Sequence, residues 1–190
     1  ARILGGKSIG AVVTVDVTHA TPAGTIGHAV SRNSRRIIID QLASGRMDVL
    51  FGGGYKRMND GVKAILADNG VEYIESDAKA FREFDGDKLW ALFTRGDMSY
   101  EMVRDSLAEP SLAEMTEKAI NMLSRNRKGF FLMVEGSKVD FVAHSNDAPG
   151  ILSEFGAFDR AVAVALDYAR KDGNTAVIVV PDHGTSGVNM

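Results

Sequence analysis

The sequence predicts one α/β domain over residues 1–190, with a mainly parallel central sheet and helices on both faces. Short apolar, β-branched runs alternate with helical patterns along the chain, and these runs are apolar enough to be covered on both sides. With 45% hydrophobic side chains, 190 residues are sufficient to bury one core. Sheets of this class bind ligands at the carboxyl ends of their strands. The loops that follow the strands are therefore where function is expected.

The first half of the chain contains two predicted strands and three predicted helices. The run Ser8–Val15 follows a pair of glycines and predicts a buried strand. Thr21 and Pro22 have the pattern of an N-cap followed by proline at the first helical position, which predicts a helix from Pro22 through Ala23 to Arg32. The other predicted elements are a helix over Arg35–Ser44, a strand over Asp48–Phe51 that ends in Gly52, Gly53 and Gly54, and a helix over Lys56–Asn69.

The second half becomes regular after residue 110. Residues 71–110 show no clear period and are predicted to be connecting structure. Ser111 and Glu114 have the spacing of a capping box and predict a helix to Ser124. The remaining candidates are short strands over Glu72–Ile74 and Leu89–Phe93, a buried strand over Phe130–Val134, a long helix within Asp147–Asp172 that ends at Gly173, and a last strand over Thr175–Val180.

Charge and composition argue against several classes of partner. The formal net charge is -3 and the basic residues are scattered, so neither nucleic acid nor an anionic membrane is an expected partner. No apolar run approaches the roughly 20 residues that a membrane-spanning helix needs, and no membrane insertion is expected. The sequence has no cysteine, which leaves His, Asp and Glu as the strong metal ligands.

Candidate metal ligands follow the predicted strand Phe130–Val134. Glu135 stands directly at its carboxyl end, where its carboxylate can face the ligand-binding edge of the sheet. Asp140 and His144 come next and are four residues apart. One helical turn or a tight loop brings such a pair onto a single cation.

Two further strand ends carry the same residue types. Asp182 and His183 follow the last predicted strand, and His19 and Thr21 follow the first. Taken singly, most such residues are solvated, or cap a helix as Thr21 does in this pattern. Three of the four histidines and three carboxylates nevertheless fall at the edge where α/β sheets bind ligands. The combination predicts a metal site.

Four segments resemble alkaline phosphatases. They are Thr18–Ala23, Asp48–Gly54, Phe130–Asp140 and the pair Asp182-His183, and they occur in the family's order across nearly the whole chain. The resemblance implies a phosphoric monoester hydrolase with two zinc ions and one magnesium ion. Its substrates would be phosphate monoesters.

The resemblance also implies a role for each matching residue. These roles are ligands of the first zinc for Asp140 and His144, ligands of the second zinc for Asp182 and His183, ligands of magnesium for Thr21 and Glu135, a grip on the substrate phosphate for Arg32, and a place near the magnesium water shell for His19. The implied reaction is displacement at phosphorus through a phosphoserine intermediate.

Three parts of the family's site are not in this sequence. The resemblance places the nucleophilic serine and a bridging aspartate upstream of residue 1, and a third histidine ligand of the first zinc downstream of Met190. The 190 residues are therefore expected to be an internal fragment with little or no activity alone. Members of the family are commonly dimeric and exported, so a homodimer in the periplasm or outside the cell is expected.

Two alternatives stay open on the sequence alone. One is another hydrolase of the wider superfamily, such as a phosphodiesterase, a sulfatase or a cofactor-independent phosphoglycerate mutase. The other is a non-catalytic module that binds metal or phosphate. The combination of Thr21, Glu135 and Arg32 favours the monoesterase, because the resemblance associates the magnesium site and the phosphate-gripping arginine with that activity.

Overall fold

A computed structural model describes residues 5–45 and 47–187 and shows a five-stranded sheet between two helical layers. The strands are β1 Ser8–Asp16, β2 Val49–Gly53, β3 Glu72–Glu75, β4 Leu89–Leu92 and β5 Phe130–Glu135. The helices are α1 Ala20–Gly24, α2 Arg35–Ser44, α3 Asp60–Asp68, α4 Ala78–Glu83, α5 Leu112–Leu123, α6 Lys138–His144 and α7 Ala148–Asp172. The strand order is β3-β4-β2-β1-β5, and every neighbouring pair is parallel. The predicted fold class is confirmed.

Strand β1 lies between β2 and β5, and its side chains contribute to an apolar cluster on each face of the sheet. Val13 and Val15 lie in a cluster with α2 and α3, whereas Val12 lies in a cluster with α4 and α5. This division follows from the period of two along a strand, which sends successive side chains to opposite faces. All three valines are at most 1% exposed. Burial on both faces explains why the middle of β1, from Ile9 to Val13, is apolar.

The signals that begin α5 and end α7 are confirmed. The hydroxyl of Ser111 accepts a hydrogen bond from the Glu114 amide at 3.1 Å, and the Glu114 carboxylate accepts one from the Ser111 amide at 3.3 Å. Helix α7 ends at Gly173, whose φ of 72° lies in the left-handed region that glycine adopts without strain.

The predicted helix from Pro22 to Arg32 is wrong beyond its first residues. Helix α1 spans only Ala20–Gly24, and its N-cap is His19 rather than Thr21. Two glycines weaken the helical preference of this stretch. The stretch also lacks a continuous buried face, since Val30 is fully exposed, and packing of such a face supplies most of the stability of helices in proteins.

Residues 55–92 contain more sheet and less helix than the sequence predicts. The predicted helix Lys56–Asn69 is divided into a short 3-10 turn and α3, which begins where the Asn59 side chain accepts a hydrogen bond from the Val62 amide. The two short strand candidates are β3 and β4, full members of the sheet rather than connecting structure. Each has only four residues, too few to show a period.

The predicted last strand, Thr175–Val180, has no strand assignment within the described part of the chain. Its apolar side chains face solvent, with Ile178 81% exposed and Val180 72% exposed. An apolar, β-branched run becomes a strand only where a neighbouring strand accepts its backbone hydrogen bonds. The sequence pattern alone does not show whether such a neighbouring strand is present.

No helix in the described ranges is both long enough and apolar enough to cross a membrane.

Candidate metal centre

The predicted magnesium ligands Thr21 and Glu135 lie side by side at the carboxyl ends of β1 and β5. The hydroxyl of Thr21 donates to Oε1 of Glu135 at 2.6 Å. The other carboxylate oxygen, Oε2, accepts from the hydroxyl of Ser137 at 2.7 Å, and Ser137 Oγ accepts from the Thr14 amide at 3.3 Å. Two hydroxyl groups thus fix the orientation of one carboxylate, and each carboxylate oxygen retains lone-pair capacity.

The predicted ligands of the first zinc lie on one exposed side of α6. Nε2 of His144 is 3.5 Å from Oδ1 of Asp140, as the four-residue spacing predicts for one helical turn. The two side chains are 67% and 40% exposed. A carboxylate oxygen and an imidazole nitrogen therefore stand together where a cation has access to both.

Thr185 connects this pair to the predicted ligands of the second zinc. Its hydroxyl donates to Oδ1 of Asp140 at 3.0 Å and lies 3.1 Å from Nδ1 of His183. The same ring nitrogen lies 3.1 Å from the carbonyl oxygen of Gly184, which can only accept. We therefore assign the proton of His183 to Nδ1, which leaves the lone pair on Nε2 available to a metal.

Asp182 and Arg32 are less constrained than the other candidates. Oδ2 of Asp182 is 3.5 Å from Nε2 of His183, and its side chain is 83% exposed. Arg32 lies on exposed backbone between α1 and α2 and makes no hydrogen bond or ion pair with the other described residues. Asp182 thus lies next to His183, the other candidate ligand of the second zinc. The Arg32 guanidinium faces solvent.

His19 is half-buried between charged and aromatic groups. Its Nε2 is 3.8 Å from Oδ1 of Asp97, and its ring centroid is 6.0 Å from that of Phe141. Burial, and then the charge of Arg35, lower the pKa of His19 below its ordinary value, although Asp97 and two other carboxylates act in the opposite direction. His19 is therefore neutral near pH 7 and retains a ring nitrogen that can accept a hydrogen bond or bind a metal.

Asp16 fixes the loop that carries His19 and Thr21. Its buried carboxylate accepts hydrogen bonds from the amide and hydroxyl of Thr18, at 3.0 and 2.7 Å, and from Nε of Arg57 at 2.8 Å. Burial alone would raise the pKa of Asp16, but these hydrogen bonds outweigh burial and hold the pKa below its ordinary value. The loop after β1 is therefore built around an aspartate that is charged at neutral pH.

The donor types fit the metals that the sequence predicts, but the coordination sets are partial. Carboxylate and imidazole suit zinc, and a hydroxyl with a carboxylate suits magnesium. Within the ranges that the structure covers, no group of three or more His, Asp or Glu side chains is arranged to hold one ion. Each candidate site thus has two candidate ligands among the described residues.

Comparison with known proteins identifies the family. The family model described as alkaline phosphatase matches residues 3–189. The chain belongs to the alkaline phosphatase family. Among curated relatives, alkaline phosphatase 4 of Bacillus subtilis is 38% identical over 97% of this chain, and alkaline phosphatase of Escherichia coli is 30% identical over 94% of it.

Solved alkaline phosphatase structures share the fold. The cold-active enzyme of a Shewanella species superposes with a TM-score of 0.83 at 30% identity and covers 90% of this chain. A variant enzyme from TAB5, a structure with bound Mg, superposes with a TM-score of 0.75 at 31% identity over 91% of the chain. The chain spans only 42% of the Bacillus relative, 49% of the Escherichia coli relative, 42% of the Shewanella enzyme and 51% of the TAB5 variant.

Three residues at this candidate site were not predicted from the sequence to take part in it. Ser137 orients Glu135, and Asp97 contacts His19. Thr185 links Asp140 to His183. Asp97 lies in the aperiodic stretch between β4 and α5, so no local pattern marks it. Ser137 and Thr185 stand beside predicted ligands, and that proximity is the signal that would have identified them.

Proposed function

We propose that this chain carries the metal-binding core of an alkaline phosphatase that hydrolyses phosphate monoesters through a phosphoserine whose serine lies outside the chain. The observation that carries the proposal is the single hydroxyl of Thr185, within 3.1 Å of both Asp140 and His183. Residues assigned to two different zinc ions are thereby held together at one edge of the sheet. Membership of the family supports the chemistry.

Asp140 and His144 are the proposed ligands of one zinc, Asp182 and His183 of a second, and Thr21 and Glu135 of a magnesium ion. When bound, such cations supply Lewis-acid stabilisation of phosphoryl oxygens and activation of oxygen nucleophiles. The chain's own contribution is orientation. Thr21 and Ser137 hold the Glu135 carboxylate between two donors, and Thr185 holds Asp140.

Arg32 is the proposed anchor of the substrate phosphate. A guanidinium offers parallel N–H donors that match two phosphate oxygens, and it stays charged across the alkaline range. The exposed guanidinium of Arg32 is free to make such contacts, since it has no partner among the described residues. His19 is the proposed neighbour of the magnesium ion. The homodimer and the periplasmic or secreted location implied by the resemblance stay predictions.

The test compares three ester classes on the longest polypeptide that the source gene encodes. p-Nitrophenyl phosphate, bis-p-nitrophenyl phosphate and p-nitrophenyl sulfate are assayed at alkaline pH with added zinc and magnesium. The proposal predicts that the monoester is hydrolysed fastest and that Asp182→Asn and Arg32→Ala both reduce that rate at least about 100-fold. Faster diester or sulfate hydrolysis would assign the protein to another branch of the superfamily. Zinc binding without turnover of any ester would indicate a non-catalytic module.

A further inference from the structure

Helix α6, which carries Asp140 and His144, begins with a buried lysine. Lys138 is only 4% exposed, although lysine is almost never buried without a partner. Its position opposes the helix dipole, which favours negative charge in the first turn. The preceding residue, Ser137, makes no side-chain capping hydrogen bond to the helix. A seven-residue helix with these features is not stable by itself, so tertiary contacts must hold it.

The charge of Lys138 lies over an aromatic ring. Its Nζ is 4.0 Å from the ring centroid of Tyr100 and 5.7 Å from that of Phe141. A cation–π contact at this distance is strongest where water is excluded, as it is around Lys138. Burial lowers the pKa of Lys138, and three nearby carboxylates oppose that shift: Asp97, Glu154 and Glu109.

Tyr100 belongs to a segment that is tied to the rest of the fold on both sides. Oδ1 of Asp97 accepts a hydrogen bond from the Asp16 amide at 2.8 Å, which attaches the segment to the end of β1. The Glu101 amide donates to Oε1 of Glu154 at 2.7 Å, which attaches it to α7. The backbone beside Tyr100 is therefore held at both ends, while Tyr100 itself is 40% exposed.

Lys138 and the metal-ligand candidates occupy different sides of α6. Lys138 and Val142 are four residues apart and both buried, so they form one face. Asp140 follows Lys138 by two residues and His144 by six, and at 100° per residue both positions point away from that face. Contacts made by Lys138 therefore set the rotation of the helix about its axis.

We propose that Lys138 is a positioning residue, whose contact with Tyr100 fixes α6 so that Asp140 and His144 face one cation. This inference rests on the proposed metal-binding role of those two residues. The competing explanation is that Lys138 contributes only to global stability. If Lys138 is a positioning residue, metal affinity depends on whether position 138 carries a cation. If Lys138 contributes only to stability, metal affinity depends on the overall free energy of unfolding.

The experiment uses Co2+ as a visible-absorbing substitute for zinc and compares four proteins: the wild type, Lys138→Met, Lys138→Arg and Leu66→Ala. Met keeps the volume and removes the cation, whereas Arg keeps a cation that stacks on an aromatic ring. Leu66 is 1% exposed and lies on α3, so its truncation lowers global stability from a position outside α6. Co2+ affinity is read from the absorption bands, and amide exchange over residues 138–144 is measured in the metal-free proteins.

The proposal predicts that Lys138→Met weakens Co2+ binding about 10-fold or more and speeds amide exchange in α6 by a similar factor. Lys138→Arg stays within about threefold of wild type, and Leu66→Ala keeps wild-type affinity. Unchanged affinity and exchange in Lys138→Met, or equal losses in Lys138→Met and Lys138→Arg, would overturn it. If the wild-type protein binds no Co2+, the proposed function fails, and the exchange rates alone then decide whether Lys138 holds the helix.

Discussion

Hydroxyl groups and one guanidinium hold the carboxylates of this site in position. Thr21 and Ser137 donate to the two oxygens of Glu135, and Arg57 donates to the buried Asp16. Charge-assisted hydrogen bonds of this kind are stronger than neutral ones and direct the remaining lone pairs. The site therefore depends on hydrogen-bond donors as well as on metal ligands. Ser137 and Arg57 act only as donors, whereas Thr21 is both a donor to Glu135 and a proposed metal ligand.

Thr21→Val is expected to weaken Mg2+ binding about 10-fold, because it removes the hydroxyl that both orients Glu135 and serves as a proposed ligand. Isothermal titration with Mg2+ gives the affinity. Thr21→Ser is the matched control, since it keeps the hydroxyl, and it should bind Mg2+ nearly as well as wild type. Equal Mg2+ affinity in Thr21→Val and wild type would remove Thr21 from the proposed site.

Arg57→Met is expected to lower the free energy of unfolding by about 3 kcal/mol at pH 7, because it leaves the carboxylate of Asp16 buried without its cation. The folded-state pKa of Asp16 is below its unfolded value of about 3.9, so this stabilisation is complete above that pH. It is lost as the pH falls through the folded-state pKa. Urea unfolding should therefore show a constant difference between variant and wild type from pH 7 down to about pH 4, and a shrinking difference as the pH falls further.

The exposed pair of Arg36 and Asp40 supplies the control for that prediction. Its side chains are 69% and 42% exposed, so Arg36→Met should change the free energy of unfolding by less than about 0.5 kcal/mol. Similar losses in Arg57→Met and Arg36→Met would show that the buried pair has no special role.

The turn after β2 approaches the end of β1 closely. The backbone of Gly54 has a φ of 99°, which a side chain rarely adopts, and a Cβ there would lie 2.8 Å from Oδ1 of Asp16. Gly54 therefore lets the turn after β2 approach the carboxylate that organises the loop after β1. This close approach is the reason for the last of the three glycines in the sequence.

Gly54→Ala is expected to lower the free energy of unfolding by at least about 1 kcal/mol more than Gly70→Ala. Both glycines have positive φ, but nothing lies within 4 Å of a Cβ at Gly70. The strain of the backbone is thus common to both variants, and only Gly54→Ala adds the contact with Asp16. Thermal or urea unfolding gives the comparison, and equal losses would mean that the turn moves to accommodate the methyl group.

The exposed run Thr175–Val180 gives a second prediction about an element. Ile178→Ala should change the free energy of unfolding by less than about 0.5 kcal/mol, because the side chain is 81% exposed. The same substitution at Ile39, which is fully buried, should cost about 3 kcal/mol. A large loss in Ile178→Ala would show that this run is packed in solution.

For the whole molecule, the sequence predicted the architecture better than it predicted local boundaries. Alternating apolar runs and helical periods predicted the parallel sheet, since strands buried on both faces leave a strong signal. Helix α1 was predicted too long and Thr175–Val180 was predicted to pair, because both outcomes depend on whether another element covers the segment. Local pattern does not contain that information.

In the candidate site, too, local spacing was predictable from the sequence and long-range contacts were not. Asp140 and His144 were predicted to lie together from their spacing, and they do. The link through Thr185 and the support of Lys138 by Tyr100 join segments far apart in the chain, so only the three-dimensional structure reveals them. The metal-ligand roles themselves stay predictions.

Zinc stoichiometry is the first test of the proposed two-zinc centre. The longest polypeptide that the source gene encodes is saturated with zinc, dialysed and analysed by inductively coupled plasma mass spectrometry, together with its Asp140→Asn and Asp182→Asn variants. The proposed two-zinc centre predicts about two zinc ions per chain in wild type and the loss of about one in each variant. Zinc absent from the wild type, or retained in full by both variants, would contradict the assignment of Asp140 and Asp182 to a two-zinc centre.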